Sequence, residues 1–485
     1  MRVVFATAEV SPIAKTGGLG DVCGSLPKAL QKLGHDVVIF MPFYRQARHW
    51  FDRNGITPHQ AMPTTVIAWA NWVAEATFLR TTLPGTDIPL ILVANDYFFE
   101  RDQIYSDAPD GTHDFLLRYA FFCRAVIRGC ELLGISVDVL HCHDWHTALL
   151  PVYLDSGLRG SPAFANARAV YTIHNLNYQG AAGADAFALT GLHSRYWAPD
   201  ALEHFGTLNP MKGGILFANA VTTVSPTYAA EVRTPQHGAG LDGVLTAVSH
   251  KFIGILNGID VDVWDPATDP AVPANYDLDT LRDKAKNKRV LAKESGFRYS
   301  AKKPLIGAVS RLVGQKGFQL LIPVLSRLLQ AGAQVVIHGT GDPDVEDGLL
   351  NVAALYPESC RVTIGFDTTL ATRIYAGADM LLMPSIYEPC GLNQMYALRY
   401  GTIPVVRLTG GLADTVIPYD GTNLDVANGF GFIAAHSLEL YLATWLAMLN
   451  YRDGAAWKSL QANGMEADFS WERSARRYDE VYRRA

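Results

Sequence analysis

Residues 1–41 read MRVVFATAEVSPIAKTGGLGDVCGSLPKALQKLGHDVVIFM. Val3 to Thr7 is a short apolar run rich in β-branched residues, the composition of a strand covered on both faces. A glycine-rich loop follows from Lys15 to Gly20, then a helix closing near Gly34, then a second apolar run from Val37 to Met41. Strand, loop, helix and parallel strand in that order form the unit from which doubly wound sheets are built.

The pattern repeats outward from this unit. It predicts strands at Leu90–Ala94, Val137–Cys142, Ala169–Ile173 and Val221–Val224, with helices at Asp114–Leu133 and around Lys212–Asn219. Near residue 256 the texture changes. Asn257-Gly258-Ile259-Asp260 and Trp264-Asp265-Pro266 are turn-rich, and the polar stretch Asp277–Lys303 reads as a linker plus a surface helix. Alternation then restarts, with strands at Leu305–Val309, Gln334–His338, Arg361–Ile364, Met380–Met383 and Ile403–Val406. The expected class is α/β, two Rossmann-like doubly wound domains facing across a cleft. Residues 1–256 form the first and 257–465 the second, and the last helix, in 466–485, crosses back to the first.

A chain of 485 residues exceeds a single core, in line with two domains. The net charge of −6 leaves no basic surplus for nucleic acid, so a neutral carbohydrate or small molecule is the better partner. The six cysteines, at 23, 123, 130, 142, 360 and 390, suit neither a disulfide framework nor paired CxxC zinc ligands. They read as reduced thiols of a cytoplasmic protein, or of the plastid stroma if a transit peptide was removed. The N-terminus lacks the apolar core of a signal peptide, and no run of about 18 apolar residues offers a membrane span.

The chemistry-bearing stretches lie just after predicted strands, where open α/β sheets bind ligands. Lys15-Thr16-Gly17-Gly18-Leu19-Gly20-Asp21-Val22 lets main-chain N–H groups and a helix start approach a phosphate. It is neither a dinucleotide GxGxxG nor a Walker loop, and close helix packing explains the same glycines. Arg311 and Lys316 share one loop and suit a departing diphosphate, although two solvated charges fit that pattern as well. Ser385 to Leu392 places Glu388 before a glycine and a helix start, and Thr409 to Thr415 repeats that arrangement. Each of these two stretches also fits a turn with an N-cap. His141, His143 and His146 suggest a metal. His146 begins a helix, however, and no second ligand group completes a tetrahedral site, so no metal is expected. Asp144, Trp145 and His174 read better as sugar-facing groups, with a core histidine as the alternative for His174.

Taken in order, these motifs resemble those of the glycogen and starch synthases, the retaining glucosyltransferases of GT-B fold. The carriers are Lys15 to Val22, His143-Asp144-Trp145, His174-Asn175, Lys212-Gly213-Gly214, Thr223-Val224-Ser225-Pro226, Asn257-Gly258-Ile259-Asp260, Arg311 with Gln315-Lys316-Gly317, Glu388 to Leu392, and Gly410 to Thr415. The resemblance spans essentially the whole chain and points to the ADP-glucose-using type. It implies transfer of glucose from ADP-glucose to the non-reducing end of an α-1,4-glucan, with retention and release of ADP, and with no cofactor or metal. It implies that Lys15, Gly17, Gly18, Arg311 and Lys316 hold the diphosphate and that Asp21 lies in the nucleotide-sugar pocket. Glu388, Cys390, Gly391 and Leu392 would line the glucose and ribose side. Gly410, Gly411, Leu412 and Thr415 would form a phosphate-facing loop. His174 would lie beside the anomeric carbon with Asn175 near the glucosyl group, and Asn257 near the donor. Glu9, Tyr97, Asp144 and Trp145 would meet the glucan.

Two departures stand out. Many GT-B transferases carry a second glutamate eight residues after the first, where this chain has Tyr396, as is usual for the ADP-glucose type. Gly111 to Tyr119 lacks an Asp-Asn pair associated with the family, which bears on the local acceptor surface. The rival readings are a transferase of UDP-glucose or another sugar nucleotide and a non-catalytic glucan-binding relative. The latter is disfavoured because the charges at 15, 311, 316 and 388 are all present.

Overall fold

The strand Arg2–Ala6 is buried from Val3 onward and pairs in parallel with Asp36–Pro42 on one side and Val139–His143 on the other. The structure is a computed structural model that describes residues 1–105 and 113–485. It divides into two compact units, Met1–Gly258 with Trp471–Ala485, and Ile259–Ser470.

In the first unit the parallel strands run in the spatial order Phe252–Gly254, Ala220–Thr223, Arg168–Ile173, Val139–His143, Arg2–Ala6, Asp36–Pro42 and Pro89–Ala94. The strand order reverses between Arg2–Ala6 and Val139–His143, the position where doubly wound sheets open a crevice at their carboxyl ends. The helix Gly18–Lys32 buries Leu19, Val22, Cys23, Leu26 and Leu30, a helical stripe facing the sheet. It packs against the last helix, Trp471–Arg484, whose Glu472 pairs with Lys32. An antiparallel extension, Thr65–Trp69 with Trp72–Thr82, continues the sheet beyond Pro89–Ala94. The sequence reading had no element there, because alternating residues on a half-exposed edge give a weaker signal than continuous apolar runs.

The second unit repeats the scheme, in the order Cys360–Ile364, Gln334–Gly339, Leu305–Val309, Met380–Met383, Ile403–Arg407 and Phe430–Phe432. Its reversal lies between Leu305–Val309 and Met380–Met383, the strands that precede Arg311 and Glu388. The polar stretch from 277 corrects the surface-helix expectation. Lys284 and Lys288 of the helix Lys284–Glu294 are buried. Lys284 donates to the carbonyls of Tyr375 and Ala376, and Lys288 pairs with Asp379 at 2.7 Å. Charge alone misread this helix because its lysine stems cross apolar surface to reach buried acceptors. No helix among the described residues is long and apolar enough to cross a membrane.

Candidate active site

In the first unit, the loop after Arg2–Ala6 is organised by one carboxylate. Glu9 is 2% exposed, and its Oε2 accepts the N–H groups of Thr16 at 2.7 Å and Gly17 at 3.1 Å. Its Oε1 accepts the hydroxyls of Thr16 and Tyr105. Glu9 was expected to meet a glucan. In the structure its carboxylate holds the glycine turn and so shapes the loop. Lys15 pairs with Asp21 at 2.6 Å. The helix Gly18–Lys32 starts from Gly17 with no side-chain cap, and a Cβ on Gly17 or Gly18 would meet nothing within 4 Å. With the Gly17 N–H held by Glu9, the open helix start presents the Gly18 N–H, an arrangement suited to an anion. Gly20 is different, since its Cβ would lie 2.5 Å from that of Lys15.

The ends of Val139–His143 and Arg168–Ile173 bring Asp144 and His174 together. Asp144 has φ +54° and ψ −177°, a conformation disfavoured for any residue with a side chain. Its Oδ1 accepts the N–H groups of His174 at 2.7 Å and Asn175 at 3.3 Å. Burial pushes its pKa up to about 7 against the opposing pull of those two N–H groups. His174 Nε2 lies 3.0 Å from His143 Nδ1, and burial lowers its pKa to about 3, so the ring is neutral. His174 thus pairs with a side chain, not with backbone. His141 is bound to Thr172 and Tyr482, each through one ring nitrogen, which accounts for the histidine spacing without a metal.

Trp145 stands beside Asp144, with the edges of Phe115 and Tyr119 against its rings. An open hollow of about 420 Å³ is lined by Phe115, Trp145, Asn177, Tyr178 and Gln179. Aromatic faces beside amide groups suit a sugar chain, whose rings present apolar faces and a hydroxyl rim. Gly180 backs this hollow. Its φ is +67°, and a Cβ there would fall 2.4 Å from Trp145 Cε3. Of the stretch 111–119, Gly111 and Thr112 lie outside the described residues. Asp114 in the remainder pairs with Arg101 and Arg118, and Phe115 reaches the hollow. Tyr97 is 59% exposed on the short helix Asp96–Phe99. Asn257 is buried, with Oδ1 unpaired among the described residues.

In the second unit, Lys316 Nζ lies 2.6 Å from Glu388 Oε2, which also accepts the Ser385 hydroxyl at 2.9 Å. Glu388 Oε1 takes no hydrogen bond among the described residues. The loops of these residues are zipped together by Ile386 N–H to the Gln315 carbonyl at 2.8 Å and by Gln315 to the Tyr387 carbonyl. Gly317, at φ +73°, allows this approach, since a Cβ would sit 1.9 Å from the Pro384 carbonyl oxygen. Arg311 is exposed and without a partner in its own unit among the described residues. Arg407 donates to the Ser385 and Ile386 carbonyls and steadies the loop.

The stretch 409–415, expected to form a phosphate-facing loop, is closely packed. The N–H of Gly411 is spent on the carbonyls of Glu388 and Pro389, and Cβ atoms on Gly410 or Gly411 would collide with the Glu388 or Cys390 carbonyl. Leu412 and Thr415 are buried, and the Thr415 hydroxyl donates to Gly411. Gly410 and Gly411 therefore pack against the Glu388–Leu392 turn. Gly391, at φ +72°, fits the same turn above Gln394, and Cys390 is buried.

The sequence reading missed Tyr105, His143, Ser385 and Arg407. Tyr105 and Arg407 stand outside every motif. His143 and Ser385 were quoted within motifs, but nothing local tells which partner each will take.

Residues 2–247 match the family described as "Starch synthase catalytic domain", and residues 293–440 match "Glycosyl transferases group 1". A glycogen synthase of Geotalea uraniireducens is 44% identical over 100% of this chain and 99% of its own length. The glycogen synthase of Thermotoga maritima is 42% identical with the same coverage. Among solved structures, the catalytic domain of starch synthase IV from Arabidopsis thaliana, bound to ADP and acarbose, has a TM-score of 0.89 and 37% identity. It covers 100% of this chain and 98% of its own. A sucrose-phosphate synthase from Thermosynechococcus elongatus, at 17% identity and TM-score 0.60 over 99% and 98% of the chains, shares the GT-B fold. The chain belongs to the glycogen and starch synthase family and is a glucosyltransferase that builds such a glucan.

Proposed function

We propose that the donor is ADP-glucose and that the enzyme adds its glucose to the non-reducing end of an α-1,4-glucan with retention, releasing ADP. The observation that carries this reading is the charge arrangement of the second unit, a free Arg311 guanidinium on the same loop as Lys316, which is paired with Glu388. Lys316 and Arg311 neutralise the departing diphosphate, the largest electrostatic demand of the transition state. Within the first unit, Lys15 and the helix start at Gly18 are groups of the kind that bind an anion. Glu388 Oε1 accepts donor hydroxyls, Asn175 lies toward the glucosyl group and Asn257 toward the donor. Cys390, Gly391, Leu392, Gly410, Gly411, Leu412 and Thr415 form the walls and packing of the nucleotide-sugar side. The glucan lies on Trp145 and the hollow beside it, with Asp144 and Tyr97 at its edges.

Catalysis proceeds without metal or cofactor, because cationic side chains meet the diphosphate. The acceptor hydroxyl attacks on the face the diphosphate leaves, and the departing phosphate oxygen takes its proton. The reading places the enzyme in the cytoplasm, which the reduced cysteines and bacterial relatives support. Measuring nucleotide release from ADP-glucose and UDP-glucose, with and without maltooligosaccharide, tests it. Glucan-dependent release of ADP is expected to exceed that of UDP. Release that ignores the glucan, or that favours UDP-glucose, overturns the proposal.

A further inference from the structure

His143 is buried at the end of Val139–His143, in register with Thr172 of the neighbouring strand. His174 stands two residues beyond Thr172 and so projects on the same side of the sheet. The His143 ring lies between Phe5, with centroids 5.0 Å apart, and His141, at 4.1 Å. Its Nδ1 meets His174 Nε2 at 3.0 Å, while its Nε2 is buried with no hydrogen-bond partner among the described residues. His141 offers no acceptor, because both of its nitrogens are already engaged, by Tyr482 and Thr172.

Burial keeps the His143 ring neutral, so it carries one proton. A proton on Nε2 would strand a buried N–H with no acceptor. A proton on Nδ1 leaves only an unfilled lone pair, the less costly defect. The proton therefore sits on Nδ1 and is donated to His174 Nε2.

We infer that His143 is a positioning residue that locks His174 in the Nδ1–H tautomer, so that His174 offers the transferred glucose a hydrogen-bond donor and no basic nitrogen. The inference rests on the proposed placement of His174 beside the reacting sugar. His174 Nδ1 makes no hydrogen bond among the described residues, and its main chain is held by Asp144. With Nε2 filled by His143 and Nδ1 protonated, neither nitrogen has a lone pair to attack the anomeric carbon or to take the acceptor proton. His174 stabilises charge or orients a sugar oxygen, and the proton of the incoming hydroxyl leaves by another route. The cost of supplying the lock is one unfilled lone pair on His143.

Side-chain nitrogen spectra of the full-length protein labelled at its histidine rings, with His174 assigned through His174→Gln, test the lock directly. A protonated Nδ1 and a bare Nε2 on His174, unchanged between pH 6 and 8, are expected. A proton on Nε2 overturns the inference. His143→Leu is expected to lower kcat about tenfold or more, as for the loss of one buried hydrogen bond, with the glucan KM unchanged. His143→Asn returns an N–H near the original position and should recover most of that loss. Full turnover in His143→Leu, or no recovery in a folded His143→Asn, counts against the lock. If the unaltered enzyme releases no ADP with glucan present, the proposed reaction falls while the spectrum still decides the tautomer.

Discussion

Lys316 and Glu388 form an ion pair at 2.6 Å, with their side chains only 17% and 7% exposed. Removing one partner of such a pair strands the other charge in the protein. Lys316→Ala is therefore expected to cost about 3 kcal/mol of stability as well as roughly a hundredfold in kcat. The double variant Lys316→Met/Glu388→Gln should regain most of the thermal stability and none of the turnover. Calorimetry and kinetics on the same samples separate the two effects, and recovered turnover in the double variant would show that the cation is dispensable.

Glu9 is predicted to act on the donor through the loop it holds. Glu9→Ala releases the N–H groups of Thr16 and Gly17 and the Tyr105 hydroxyl together. The expected result is an ADP-glucose KM raised about tenfold, the worth of one or two hydrogen bonds in positioning, with the KM for maltooligosaccharide nearly unchanged. The opposite split would return Glu9 to direct glucan contact.

Asp144 carries a pH signature. Its pKa rises from 3.8 to about 7 on folding, chiefly through burial. Between those values the folded chain holds a proton that the unfolded chain has lost. This contribution to stability is fully present below about pH 4 and disappears as pH rises through about 7. Asp144→Asn removes it while keeping an oxygen for the His174 and Asn175 N–H groups. Relative to the unaltered protein, the variant should gain on the order of 2–4 kcal/mol between pH 4 and pH 8. Denaturant unfolding at the two pH values measures the difference, and parallel curves would mean that Asp144 ionises normally.

Gly180→Ala should damage glucan binding selectively. The new Cβ meets the Trp145 ring at 2.4 Å, and the backbone stands at φ +67°. Displacement of the indole is expected to raise the KM for maltooligosaccharide several-fold and to lower stability by about 1–2 kcal/mol. The KM for ADP-glucose should stay near its original value, and an equal rise in both would point to a general loss of packing.

The sequence by itself determined the two doubly wound sheets and the location of the chemistry. Short continuous apolar runs such as Val3–Thr7 and Leu305–Val309, bounded by turn residues, suit buried parallel strands, and each such strand hands its following loop to the carboxyl edge. That logic names Lys15, Asp144, His174, Arg311, Lys316 and Glu388 as candidates. It did not find their partners. Tyr105 reaches Glu9 across 96 residues, His143 reaches His174 across 31, and Lys316 reaches Glu388 across 72. Nor did it see that Gly410 and Gly411 serve close packing on the Glu388 turn. Motif spacing carries information about the local chain, whereas a hydrogen bond between two loops depends on strand order and register. Only the folded sheet decided which carboxylate holds a loop, which cation is paired and which histidine is locked.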